Sequence, residues 1–275
     1  MTADAVRGFP TAAFAANLGI TLGLVAATML ATLAIALVRG RHDGIDTVWG
    51  LGFVVVAVGT LASSAGEGPL GRRLLVTGLV AIWGVRLAVH IGRRNAGKPE
   101  DSRYVELLAA APGNRTWYAV RKVYLIQGVV LWFVSFPVQA AQYGYGGAGW
   151  LVDVGVLVWL AGLAFEAVGD AQLAAFGRDP DNRGKVMDRG LWRWTRHPNY
   201  FGDAVVWWGL YLTACHHWAG ALTVLSPAVM TFTLVRGTGK ALLERTIGSR
   251  RPGYADYVRR TSGFFPLPPR KEGST

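Results

Sequence analysis

Charge is what this sequence lacks. Only 16% of its 275 residues are Asp, Glu, Lys or Arg, against about 25% in an ordinary soluble domain. A disordered chain needs abundant charge and little apolar content, so disorder is excluded and a soluble enzyme is disfavoured. Cysteine is almost missing. Cys215 stands alone, which excludes an internal disulfide and a cysteine metal cluster. Glycine is plentiful at 36 residues, but with no three-residue period, so collagen is excluded as well. What is abundant is apolar: 52% of the chain. The implied class is an all-α polytopic membrane protein, one integral membrane domain over residues 1–275.

Seven apolar runs approach the roughly 20 residues that cross a bilayer. They cover 14–38, 45–64, 74–91, 118–139, 151–176, 200–214 and 219–235. Residues 1–13 have neither the basic start nor the short apolar run of a cleavable signal, so the first span reads as retained. The net charge is +11. In a soluble chain that excess would suggest nucleic acid. Here the basic residues lie between apolar runs, in alternate connections: 39–44, 92–122, 177–199 and 236–275. The positive-inside rule then puts the N-terminus outside and the C-terminus in the cytoplasm of a bacterial-type inner membrane. Seven crossings separate the termini consistently. Neither nucleic acid nor a metal is expected as a partner. The Pro- and Lys/Arg-rich tail at 267–275 is expected to fray. Gly19 and Gly23 match a small-xxx-small packing face, although glycine is common in membrane helices generally. The Gly-rich stretch at 144–149 follows a helix rather than a strand, so it is discarded as a nucleotide loop.

Ionisable groups inside or at the edge of a span are expensive unless paired, hydrated or functional. Asp46 opens the second span. Arg86 and His90 sit one turn apart in the third, and Glu166 and Asp170 one turn apart in the fifth. Asp203 lies just inside the sixth. Spacing of four places each pair on one helix face. Singly, each reads equally well as an interfacial anchor or a snorkelling side chain. Together, acids in several spans opposite a basic layer suggest a cavity for a polar ligand. Residues 181–203 are too polar to span and are dense in Arg, Lys, His, Asn and Tyr. Pro198 suits the first turn of a helix, which would set Arg196–Tyr200 at an anion-favouring N-terminus. Anionic lipid is the simpler ligand for such a loop, but lipid attraction does not call for Asn199, Tyr200 or Asp203.

The stretch Gly190-Leu-Trp-Arg-Trp-Thr-Arg-His-Pro-Asn-Tyr-Phe-Gly-Asp203 resembles the core motif of bacterial steroid 5α-reductase-like membrane proteins. Asp46-xx-Trp49-Gly50, Trp83-Gly-xx-Arg86-Leu87-xx-His90-xx-Arg93, Asp101-x-Arg103-Tyr104, Glu166-xxx-Asp170-x-Gln172 and Tyr254-xx-Tyr257 follow the same order. The Arg-His-Pro-x-Tyr core alone is shared with sterol reductases and isoprenylcysteine carboxyl methyltransferases. The resemblance implies a seven-helix membrane enzyme with a cytosolic NADPH site in a motif-rich part at about 150–266. It implies reduction of a carbon–carbon double bond conjugated to a carbonyl in a lipidic, steroid-like substrate. By motif position the cofactor contacts would be Arg94, Arg103, Glu166, Asp170, Asn199, Asp203, Arg236 and Lys240, joined by Lys185, Arg196, His197 and Tyr200. Glu166 stands where animal enzymes use Asn. Ile91 stands where they have a Tyr that polarises the substrate carbonyl.

Hydride delivery to the β-carbon would build negative charge on the carbonyl oxygen, which needs a donor. Asp46, protonated through burial, and His90 are the catalytic candidates. Tyr104 and Tyr124 are substitutes for the missing Tyr. Two other classes compete: an S-adenosylmethionine-dependent methyltransferase, for which Glu244 is the one matching acid, and a non-enzymatic lipid-binding protein.

Overall fold

Apolar runs of 20 to 30 residues have no low-energy place in water, and in a bilayer they satisfy every backbone polar group internally only as helices. The computed structural model describes residues 8–237 and 252–270 and is built of helices, with one isolated bridge pairing Thr195 and Ser262. In chain order these are α1 Thr11–Arg39, α2 Gly44–Ser63, α3 Leu70–Asn95, α4 Ser102–Ala109, α5 Arg115–Ala141, α6 Gly149–Arg178, α7 Pro198–Ala214, α8 Trp218–Arg236 and α9 Tyr254–Arg260. The protein is an all-α polytopic membrane protein. Among the described residues six helices, α1, α2, α3, α5, α6 and α8, are long and apolar enough to cross a bilayer. The expected seventh crossing is α7. At 17 residues it sits at the lower limit of a spanning helix.

The chain divides into two compact units. The first comprises Met1–Gly149 and Thr213–Ser226, the second Trp150–Leu212 and Pro227–Thr275. In the first, α2 packs on α3 so closely that a methyl group on Gly50 or Gly84 would strike the other's carbonyl oxygen. Phe53 fills the space beside this crossing, edge-on to Trp49 and Trp83 at 5.3 and 5.6 Å. The motif dipeptides Trp49-Gly50 and Trp83-Gly84 are therefore a packing device. A buried polar network ties α1 and α2 to α5: Gln139 accepts from Asn17 and from Thr21, both at 2.9 Å, and donates to Ser135 at 2.8 Å. Ser63 donates to Asn17. Gly19 and Gly23, in contrast, face open space among the described residues.

In the second unit α6 and α7 meet through glycines two turns apart. A methyl group on Gly162 would lie 2.6 Å from the Val206 amide nitrogen, and one on Gly209 would lie 2.5 Å from that of Trp159. Gly202 closes the same seam against Glu166. The described part of the tail, 267–270, is tied down. Leu267 donates its amide to the Trp194 carbonyl at 3.0 Å, and Arg270 donates to the Arg260 carbonyl at 2.9 Å. Backbone pairing offsets the chain entropy there as far as Arg270.

Candidate functional site

Two polar clusters stand out, one in each unit. In the first, Asp46 occupies the first turn of α2. A methyl group on Gly92 would rest against Thr47, so the His90–Gly92 end of α3 lies beside that turn. Asp101 caps α4, accepting from the Arg103 amide at 2.9 Å. That cap turns Arg103 and Tyr104 toward Asp46. The Arg103 guanidinium donates to Asp46 at 2.8 Å and to Asp101 at 2.8 Å. The Tyr104 hydroxyl donates to the other Asp46 oxygen at 2.6 Å. Both Asp46 oxygens therefore accept, which differs from the expected arrangement with a protonated Asp46 donating. Burial and the nearby Asp46 charge push the Tyr104 hydroxyl well above its ordinary range. Burial opposes the Arg103 charge, but the Asp101 hydrogen bond and the Asp46 and Asp101 charges outweigh it, so the guanidinium is held charged more firmly than usual. Asp101, opposed by the same burial, is held below the usual carboxylate range by Arg103.

His90 and Arg86 are half-buried on α3, and both engage other groups. Arg94 is exposed at the end of that helix, its Nε 3.4 Å from Asn95. Tyr124 meets His42 Nδ1 at 2.9 Å.

In the second unit, Glu166 and Asp170 are buried one turn apart on α6. Asn199, in the first turn of α7, donates its side-chain amide to Asp170 at 3.1 Å. His197 is buried, and its ring stacks on Tyr200 with centroids 5.4 Å apart and planes 6° apart. Asp203 follows, buried one turn further along α7. Asp170, Asn199, His197 and Tyr200 thus gather at the start of α7. Lys185 and Arg236 are exposed, the latter at the end of α8. Lys240 and Glu244 lie outside the described residues.

Arg196 is tied to α9. Its guanidinium donates to the carbonyls of Thr261 at 2.6 Å and Val258 at 3.2 Å, closing the last turn of α9. Much of the surrounding motif is scaffold too. Trp192 donates to the Gly169 carbonyl at 3.0 Å, the Leu191 amide to Gln172 at 2.9 Å, and Tyr257 to the Trp192 carbonyl at 2.6 Å. Thr195 donates to the Phe264 carbonyl at 2.8 Å. Gly190 adopts φ 57° against the Gln172 amide, a backbone conformation and a closeness that suit glycine. These bonds hold His197 and Asn199 in place. Among the described residues no three His, Cys, Asp or Glu side chains converge as metal ligands.

Residues 32–261 match a family described as a protein of unknown function, DUF1295. No curated protein and no solved structure matches the chain.

Proposed function

The chain belongs to the DUF1295 family, and within it we propose that the protein is a membrane reductase. It would use NADPH to reduce a carbon–carbon double bond conjugated to a carbonyl in a lipidic substrate of the steroid-like enone type. The observation that carries this reading is the Asp170–Asn199 pair beside the stacked His197 and Tyr200 rings. A carboxylate joined to a carboxamide complements a primary amide, which both donates and accepts. A flat aromatic pair offers a face to a flat ring. A nicotinamide nucleotide has both features, and the donor set suits it. When bound, it supplies the hydride.

The chain's own residues orient and polarise. Tyr104 keeps its proton because burial and Asp46 oppose ionisation; that single proton is given to Asp46, and Tyr104 would serve a carbonyl oxygen by turning it from Asp46 to the substrate as charge develops there. Asp46 aims that hydroxyl and offsets Arg103. His90, at the same end of the α2–α3 pair, is assigned the relay of the proton that the α-carbon receives. The topology proposed with this reading puts the start of α7 on the cytoplasmic side of an inner membrane, where the basic connections lie.

The test is to purify the full-length protein in mild detergent, identify co-purifying nucleotide by mass spectrometry, and titrate NADPH, NADH and S-adenosylmethionine while following thermal unfolding. Stabilisation by NADPH that Asn199→Ala removes is the expected result. Stabilisation by S-adenosylmethionine alone moves the protein to the methyltransferases. No response to any of them overturns the enzyme reading in favour of lipid binding.

A further inference from the structure

We infer that a cationic cleft in the second unit binds the phosphate of an anionic membrane phospholipid. The cleft encloses about 680 Å³ and is walled by Arg189, Arg193, Arg260 and Arg270, with Asp188 the one acid. Two stretches distant in sequence, 188–193 and 260–270, build it, and hydrogen bonds to backbone carbonyls fix them. Arg270 donates to the Arg260 carbonyl, Arg196 holds the Thr261 carbonyl, and Leu267 donates to Trp194 beside Arg193. Four like charges repel, and a folded chain has no reason to fix them around one cavity without a counter-charge. Among the described residues Asp188 meets Arg260 alone, at a long 3.4 Å. Among the described residues Arg189, Arg193 and Arg270 have no acidic partner, and the Arg260 Nε is buried without an acceptor. That buried donor costs stability until an acceptor arrives. Guanidinium forks match the paired oxygens of a phosphate.

Two observations favour a lipid headgroup over a soluble phosphate. The first is depth. The cleft-lining stretch is anchored to α6 at Gly169 and Gln172. A helix of 30 residues is about 45 Å long, some 15 Å more than the hydrocarbon thickness of about 30 Å. Its last turns therefore reach headgroup level. The second is the rim. Trp194, Phe265 and Leu267 are 45, 64 and 55% exposed, and they flank Arg193 and Arg270 in the chain. An exposed Trp with apolar neighbours beside Arg is the pattern of a membrane–water interface.

The inference does not rest on the reductase reading, because none of these arginines belongs to the Asp170–Asn199 cluster. Its test uses the full-length protein in a zwitterionic detergent. Thermal unfolding is followed while phosphatidylglycerol, phosphatidylcholine or inorganic phosphate is added. The expected result is stabilisation by phosphatidylglycerol alone. Arg193→Gln with Arg270→Gln should weaken the apparent phosphatidylglycerol affinity on the order of tenfold or more, at about one surface arginine's contribution each. Arg193→Lys with Arg270→Lys, which keeps charge but loses the fork, should fall between. The charge-matched Arg115→Gln with Lys122→Gln should leave the affinity unchanged. All four positions are exposed, and unfolding without lipid reports whether each variant folds. Equal stabilisation by inorganic phosphate, equal loss in the charge-matched variant, or no response to phosphatidylglycerol each overturns the inference. The NADPH titration above is read separately, so either conclusion can fail alone.

Discussion

The two units solve the same problem, holding apolar helices together where neighbouring lipid is as apolar as they are, with a different balance of means. The first adds side-chain hydrogen bonds to its Gly50–Gly84 crossing. Gln139, fully buried, joins Asn17, Thr21 and Ser135. The second uses the absence of side chains. Gly162, Gly202 and Gly209 let two backbones touch, gaining dispersion contacts that side chains would block. The difference reaches the functional clusters. The glycine seam leaves no room to repack, so Glu166, Asp170, Asn199 and Asp203 sit on a rigid pair. Asp46 instead depends on a short helix, α4, whose cap turns Arg103 and Tyr104 toward it.

The largest effect should come from breaking the seam. Gly202→Leu drives a side chain into the Glu166 backbone, which cannot give. A loss of at least about 3 kcal/mol is expected, read as failure to yield a monodisperse species in size-exclusion chromatography. Next, the two clusters should separate kinetically. Asp46→Ala should lower turnover on the order of a hundredfold or more while NADPH stabilisation stays near normal. Asn199→Ala should remove that stabilisation. Normal turnover in Asp46→Ala would refute its role. Gln139→Leu strands the Asn17 amide, whereas Thr21 keeps the Asn17 carbonyl as an acceptor, and should cost about 2 kcal/mol, measurable as a lower unfolding temperature.

A smaller effect is set by pH. His216, in the connection before α8, is buried, and burial is the main cause that lowers its pKa to about 4, with Arg72 adding to it. The unfolded chain takes up a proton below about pH 6.5, whereas the folded one resists until about 4. Stability is therefore full above the higher value and falls as pH drops toward the lower. His216→Asn should flatten unfolding temperature against pH across that window. The smallest effect is the contrast to the first. Gly23→Leu on α1 meets open space and should shift stability by less than about 0.5 kcal/mol.

The spans were legible because each is a run whose preference for lipid is a property of the run itself. The read boundaries lie within a few residues of the helices, as with 118–139 inside Arg115–Ala141. Asp46, Asp170 and Asn199 were legible as unusual, since polar groups in apolar runs are conspicuous. Their partners were not. Arg103 and Tyr104 lie 57 and 58 residues from Asp46, and no local pattern joins them. Arg196 was read as a phosphate contact because a guanidinium beside His and Asn suits one. Its carbonyl partners lie 62 and 65 residues along the chain. The cleft arginines were visible only as scattered positive charge, because its walls come from two stretches, with Asp188 and Arg260 lying 72 residues apart.

The sequence by itself determined that this is a helical membrane protein, where most of its helices run, and which polar residues are costly enough to matter. Those follow from the transfer of each run between water and lipid, which needs no knowledge of its neighbours. Only the tertiary structure decided which of those polar residues meet. Asp46 accepts rather than donates, Arg196 closes a helix end, and four arginines share one cavity, because helix contacts set by single glycines and caps bring distant atoms within hydrogen-bonding distance.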